Sequence, residues 1–552
     1  MESLTMRPPI SLAKHWPALL AGVLTLGALA LLWRVRDTPL ALGAFARFDA
    51  LSAFFLCALF GGIALALAAR PHTFSPRWLR PAAAAGALAL AYSTTLTLAI
   101  ACAYLALGLL TVDWQALAMP EGDRRASPAN RAIRALRQAA LAAPSLLAAS
   151  CLLLGYGALA RRGAAHYDEP TAGAALDSFA FWFVLLAASI ACAPLAQATK
   201  DERPLTADGD TQTQGHGNAE AQEQNHPVSL SKASAFINLS LFRYAWLYPL
   251  ARLYSLGPWN SGWSFATLLL GGALALWCAC SALVQPDARA RNIRIPSIYL
   301  ALALAGLGLS NSAGLAAACY AVLAYLVLAV GLRDRRLETR DAEPDDAISN
   351  LQSPISSLLP WLLSSAIPLT APFVAAWMLM GASVAGGVAL LAGVAWLVAL
   401  LHGLTVALWN GADPEAGLRP LRVAGATSIV LGVGAPPIVR LLILPIVAQL
   451  QGGLTPFGDL NIWPWVGVAA SDSTHTQVTT LPSIAIVLLM LVLTALVYVV
   501  ARLRAIHRAE QPVEPPEAVA TPLLSLLRDE VPWLGGLLGA NPRSQRHPGD
   551  GE

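Results

Sequence analysis

Charge is what this chain has least of. Only 12% of its 552 residues are Asp, Glu, Lys or Arg, against 56% hydrophobic, and a soluble protein of this size could not hide that much apolar surface. Lysine is nearly missing: Lys14, Lys200 and Lys232 are all there is, outside or at the edge of the apolar runs. None of the 14 glutamates lies inside such a run, and the aspartates nearest to one, Asp49 and Asp177, stand at edges. A proton path through lipid needs groups that change protonation near neutral pH: carboxylates, lysines with a lowered pKa, or histidines. A relay built on buried lysines and glutamates is therefore excluded. The seven cysteines (Cys57, Cys102, Cys151, Cys192, Cys278, Cys280, Cys319) all fall within apolar runs. Cys278-x-Cys280 lacks metal-ligand spacing and a matching pair, so they read as small core residues, and no metal is expected. Flavin, nicotinamide, quinone and iron–sulfur signatures are likewise missing, so no cofactor is expected in this chain. A net charge of +3 calls for no nucleic-acid partner.

What the chain has is length in apolar runs. Many reach the ~20 residues that a bilayer helix needs. Lipid offers backbone groups no hydrogen-bond partner, so spans are helices or a closed barrel, and runs without period-2 alternation choose helices. The reading is an all-α polytopic membrane protein in the lipid bilayer, with about 14 transmembrane helices. They fall near 17–33, 50–69, 79–95, 96–112, 138–160, 176–196, 233–255, 263–284, 295–309, 313–332, 355–379, 382–409, 423–449 and 482–504. The first span is kept as an anchor, being long for a signal peptide and without a small-x-small cleavage site. With the N-terminus taken as cytoplasmic, 28 of the 36 Lys and Arg fall on the cytoplasmic side. Arg34, Arg36, Arg47, Arg161, Arg162 and Arg252 fall opposite, and Arg243 and Arg440 lie inside spans. The positive-inside rule then places both termini in the cytoplasm, in a bacterial-type inner membrane.

The organisation follows from these runs. Residues 1–44 are an N-terminal tail and first membrane helix, and 45–199 the first part of a membrane core. Residues 200–232, almost free of large apolar side chains, read as a disordered cytoplasmic linker, with His216 and His226 as solvated residues. The core resumes over 233–450, interrupted by a mixed-charge loop at 333–350. An extracytoplasmic loop rich in Trp and Pro and a last helix fill 451–504, and 505–552 is a Pro-rich tail with a short amphipathic segment, 523–539.

Four stretches carry a family resemblance. ARFDALSAFFLCALFGGIALAL (46–67) resembles the FRVDGLSxFF start of the third helix in the antiporter-like, proton-translocating membrane subunits of respiratory complex I. Mrp antiporters and group 4 hydrogenases share that family. SALVQPDARARNIRIPSIYLALALAGLGL (281–309) is similar to its ALVQxDLKRLLAYSSISxLG segment, and SSAIPLTAPFVAAWMLMGASV (364–384) to GxPPxxGFxxKxxLL. IVLGVGAPPIVRLL (429–442) echoes LGxxPxPLL. The matches keep family order and spacing over residues 45–450. The resemblance implies two inverted five-helix repeats, spans 3–7 and 8–12, each with a Pro-broken helix: span six at Pro194, and span eleven at Pro368 and Pro372. It also makes the second span the family's third and the last span an addition.

Carried across, the family's functional positions land on residues that cannot relay a proton. Its helix-five glutamate falls near Ala103, and the lysine of the first broken helix near Ser189. The next helix's lysine falls at Tyr244, beside Arg243. The central His and Lys fall near Cys319 and Leu323, and the second broken helix's lysine near Ala376. Three ionisable groups remain inside spans as candidates for a proton path. Arg243 is either a fixed charge in place of the family's lysine or a side chain reaching for the interface. Arg440 either pairs with a carbonyl freed by Pro436 or Pro437 or meets another subunit. His402 either carries a proton or packs with a hydrogen bond. The resemblance thus implies a non-catalytic membrane-arm subunit of a complex I-like or hydrogenase-like redox complex, mainly structural or coupling in role. Its partners would be other antiporter-like chains and a hydrophilic iron–sulfur or hydrogenase arm. Two alternatives stay open. One is a stand-alone secondary transporter, although RPHTFSPRW (71–79) lacks the major-facilitator loop pattern. The other is a polyprenyl-dependent glycosyltransferase using Asp37 and Asp49.

Overall fold

A computed structural model describes residues 12–69, 79–110, 128–167, 178–193, 239–256, 259–285, 288–332, 366–409, 418–450 and 492. The apolar runs in them are helical, as backbone groups in lipid require. In order these are α1 (Leu12–Val35), α2 (Ala50–Ala69), α3 (Leu79–Ser93), α4 (Thr97–Leu110), α5 (Pro128–Arg161) and α6 (Ser178–Cys192). An irregular segment follows, 3₁₀ over Leu239–Trp246, α7 over Leu247–Arg252, and 3₁₀ again over Leu253–Leu256. Then come α8 (Ser261–Val284), α9 (Ala288–Gly308), α10 (Ser312–Gly331), α11 (Ala371–Ala385), α12 (Ala389–Trp409) and α13 (Leu418–Val433). The described chain closes with α14 (Ala435–Ile438), a π segment (Val439–Ile443) and α15 (Leu444–Leu450). The span expected at 482–504 lies outside the described residues except for Val492, and Pro194 lies outside them altogether.

Six described helices are long and apolar enough to cross a membrane, seven if the pair bent by 76° at Gly434 is one span. The bend has an identifiable cause in sequence. Pro436 and Pro437 have no N–H for the turn before them, and the π segment that follows takes up the register. Within the expected span 355–379, whose residues 355–365 lie outside the described ones, α11 begins at Ala371 after a turn over 368–370 that holds Pro368.

The centre of the bundle is α10, buried over 83% of its spanning window, and the periphery is α1, buried over 22%. Small residues set how close helices come. A Cβ on Gly271 of α8 would lie 2.3 Å from the backbone N of Ala305 in α9, so this crossing excludes any side chain there. Two short strands, Leu40–Leu42 and Ala46–Phe48, pair antiparallel across the end of the bundle where α2 begins. Thr94 bridges to Ala46, and Leu96 to His166, so the α3–α4 and α5–α6 connections join the same cap.

Candidate functional site

Arg243 takes up the carbonyls at the end of α6. Helix α6 ends at Cys192, and its last carbonyls stand at the end of the described segment. The guanidinium donates from Nε to Ala191 O (2.9 Å) and from Nη2 to Cys192 O (2.9 Å) and Ala193 O (2.7 Å). Its Nη1 donates to Ser297 Oγ on α9 at 2.9 Å. The arrangement suits a cation, because the helix C-terminus carries the negative end of the dipole, and Arg alone offers enough donors in one plane. Four donors on protein acceptors tie the side chain to the end of α6 and to α9, so it does not reach outward to the interface.

The second break is closed without any charge. Leu369 takes a positive φ of 79° in the turn ahead of α11, and its carbonyl lies against Gly432 of α13, where a Cβ would sit 2.0 Å from the oxygen. Of the N-terminal donors of α11, Ala371 N–H goes to Ser428 Oγ (3.2 Å) and Phe373 N–H to Thr370 Oγ1 (3.4 Å). Pro372 in the first turn has no N–H to satisfy. Pro368 belongs to the turn itself.

Between Arg243 and Arg252 stands a column of buried aromatic rings. Tyr244, Tyr248 and Arg252 recur at four-residue spacing and so line one face of the irregular segment. The Tyr248 ring lies 4.7 Å from that of Tyr92 on α3, and Phe55 of α2 touches Tyr92, Tyr244 and Tyr248. Tyr104 of α4 donates to Ala245 O, a carbonyl to which Pro249, four residues on, can offer no N–H. Tyr156 of α5 donates to Pro249 O at 2.9 Å. Beyond Tyr248 is the ion pair of Arg252 with Asp49, both buried, the two Nη atoms facing the two carboxylate oxygens. Arg252 Nη2 also donates to Ser52 Oγ and Tyr248 Oη (both 2.8 Å), and its plane stacks 4.1 Å from the Tyr167 ring centre. Asp49 precedes α2 and accepts from Ser52 N–H at 2.9 Å, an N-cap bond. Burial raises its pKa, and the Arg252 guanidinium more than offsets this, holding the carboxyl below the usual carboxylate range.

The remaining candidates lie apart. His402 on α12 is fully buried, with Nδ1 2.9 Å from Tyr299 Oη of α9 and Nε2 unpartnered. Arg440 sits in the π segment on an exposed face with Val433 and Leu441, and no hydrogen bond to a carbonyl freed by the prolines is present. Neither forms a hydrogen bond with Arg243. Asp37 forms an exposed ion pair with Arg36 (3.2 Å), whereas Asp49 is buried and taken up by Arg252.

No family model and no curated protein matches the chain. Solved structures do. Over 80% of this chain and 93% of theirs, it superposes on a chain of the Mrp complex from Dietzia sp. DQ12-45-1b with a TM-score of 0.56 at 16% identity. A chain of the membrane-bound sulfane sulfur reductase, an archaeal respiratory membrane complex, matches over 95% of this chain and 97% of its own, with a TM-score of 0.52 at 14% identity. A chain of respiratory complex I from Thermus thermophilus matches over 80% and 96%, with a TM-score of 0.53 at 14% identity. The chain has the fold these three share.

On that fold, the positions carried over from the resemblance hold no lysine or glutamate: they are Ala103, Ser189, Tyr244, Cys319, Leu323 and Ala376. Ser189 is buried and turns its Oγ onto Leu185 O of its own helix at 2.6 Å. Ala376 is buried among Ala366 and Ala399. Ala103 and Cys319 are buried, and Tyr244 belongs to the column. Sequence reasoning missed the Asp49–Arg252 pair, which joins residues 203 apart, and the column itself. The one available signal was the four-residue recurrence of Tyr244, Tyr248 and Arg252.

Proposed function

We propose that this chain is a membrane-arm subunit of a complex I-like or hydrogenase-like redox complex, in which an antiporter-like fold keeps its broken helices but has lost the proton path. The observation that carries the reading is the closure of both breaks from within: the first by a guanidinium that stays protonated, the second by Ser428, Thr370 and the close approach at Gly432. Broken helices in membranes serve where exposed backbone meets an ion or a hydrated cavity. A fixed charge in that place keeps the fold and removes the exchangeable proton. The subunit then packs against neighbours and transmits their movements. The finer expectations belong to the same reading: about fourteen spans, two inverted five-helix repeats running over α3 to Leu256 and over α8 to α12, and both ends in the cytoplasm of a bacterial-type cell. Partners are antiporter-like chains and a hydrophilic arm that carries the electron-transfer cofactors.

The test is gentle purification of the tagged protein from its own membranes, with mass spectrometry of what accompanies it. Stoichiometric iron–sulfur or hydrogenase subunits, together with other antiporter-like chains, are expected. Recovery of the chain alone, with solute or proton flux in liposomes, would overturn the reading in favour of a stand-alone transporter.

A further inference from the structure

The bent arm from α13 to α15 holds a single charge between residues 423 and 450, and it is exposed: Arg440. Val430, Val433, Pro437 and Arg440 recur every three or four residues and are all exposed, Val430 by 67% and Val433 by 53%, with Leu441 beside them. The outward face of the arm is thus an apolar stripe with a guanidinium set in it. Unlike Arg243 and Arg252, Arg440 makes no hydrogen bond or ion pair among the described residues. It also stands well inside the arm. Gly432 before it abuts the turn at Leu369, and Gln449 after it donates to Val35 O and Arg36 O at the end of α1. Neither end of the uncharged stretch lies within two turns of Arg440.

Arginine keeps its proton, and a charge among lipid tails is costly, so an arginine inside a span faces protein or water. Arg440 faces out of its own chain, so the acceptor comes from elsewhere. A second copy cannot supply it: no glutamate lies in an apolar run of this sequence, and Asp49 is buried against Arg252. A lipid phosphate has the right charge but sits at headgroup level, whereas apolar side chains flank this guanidinium on both sides. We propose that the face is a docking surface for a helix of a different membrane chain, which brings a carboxylate to Arg440 and packs apolar side chains along Val430, Val433 and Leu441. A carboxylate matches the planar guanidinium with two parallel hydrogen bonds. The proposal rests on the membrane-arm reading above and gives one of its contacts a place and a chemistry. The same arm also reaches the start of α2, where Gln449 Oε1 accepts from the N–H of Ala50, the residue after Asp49.

The test uses Arg440→Lys in the protein's own membranes, treated with a hydrophobic carbodiimide that joins an amine to a carboxylate it touches. The chain's own lysines, Lys14, Lys200 and Lys232, lie outside or at the edge of the apolar runs, so a link from position 440 is unambiguous. Mass spectrometry should find that position joined to an Asp or Glu within an apolar run of another chain. Arg440→Glu should lower co-purification of that chain at least tenfold, with the melting temperature of the isolated protein unchanged. No link, together with undiminished recovery of partners from Arg440→Glu, would overturn the docking surface and leave the redox-complex reading standing. Partners retained while bound anionic phospholipid is lost from Arg440→Glu, read by native mass spectrometry, would assign the guanidinium to lipid and equally overturn it. Wild type recovered alone would remove both readings.

Discussion

The end of α6 and the start of α11 solve one problem in opposite ways. At the end of α6 a charged side chain reaches in from the next segment and takes up three carbonyls, whereas at the start of α11 two hydroxyls and a glycine let neighbouring backbone close the gap. The direction of the helix explains the difference. A broken C-terminus exposes acceptors and a negative dipole end, which a cation satisfies, and a broken N-terminus exposes donors, which Ser and Thr oxygens satisfy without any charge. Around the first break the fold therefore accumulates polar groups, ending in the Asp49–Arg252 pair. Around the second it stays apolar, with alanine methyls at the position the resemblance assigns to a lysine.

That contrast can be broken most sharply at the ion pair that ends the polar half. Arg252→Met strands a buried carboxylate and is expected to cost about 3–5 kcal/mol in thermal unfolding. The double variant with Asp49→Leu should recover most of it, as the hydrophobic replacement removes both charges. The same pair sets an acid limit. Asp49 is held below its ordinary value, so its contribution is whole above the unfolded pKa and is lost as pH falls through the folded one. The wild type should lose melting temperature in acid, and the double variant should lose less.

Next in size is the first break. Arg243→Met leaves the carbonyls of Ala191, Cys192 and Ala193 without their donor and should cost about 1–3 kcal/mol, with Arg243→Lys recovering part of it. Full recovery by lysine would mean that charge alone matters, not the planar donor set. The second break should respond to volume instead. Gly432→Ala forces a methyl against Leu369 O and is expected to cost roughly 1–3 kcal/mol, while Ser428→Ala costs about 1 kcal/mol. The smallest effect belongs to Arg440→Leu on the exposed face. The melting temperature of the isolated chain should not move measurably, and recovery with partner subunits is the readout through which a role for this side chain would appear.

Much of this was legible in the residues. Helix positions followed from apolar length, because in lipid a backbone has few ways to satisfy itself. The loss of relay residues was plain from where Lys and Glu are absent. Other points were not legible. The residue text alone left Arg243 balanced between a fixed charge and an interfacial one, since both need only an arginine one turn inside a span. It left Arg440 facing either a freed carbonyl or the outside. Pro368 and Pro372 already marked a break in the residue text, whereas the positive φ of Leu369 and its close contact with Gly432 belong to the tertiary structure.

The sequence by itself determined the membrane class, the apolar runs that form the described helices, and the scarcity of lysine and glutamate within them. Those properties depend on composition and on distances along the chain, which hydrophobic length and side-chain type control directly. Tertiary structure alone decided which charges are buried and what they meet. Asp49 and Arg252 are 203 positions apart, and Arg243 finds carbonyls about fifty residues away. Helix packing brings such groups together, and the cost of leaving any of them unpaired in a low-dielectric interior holds them there.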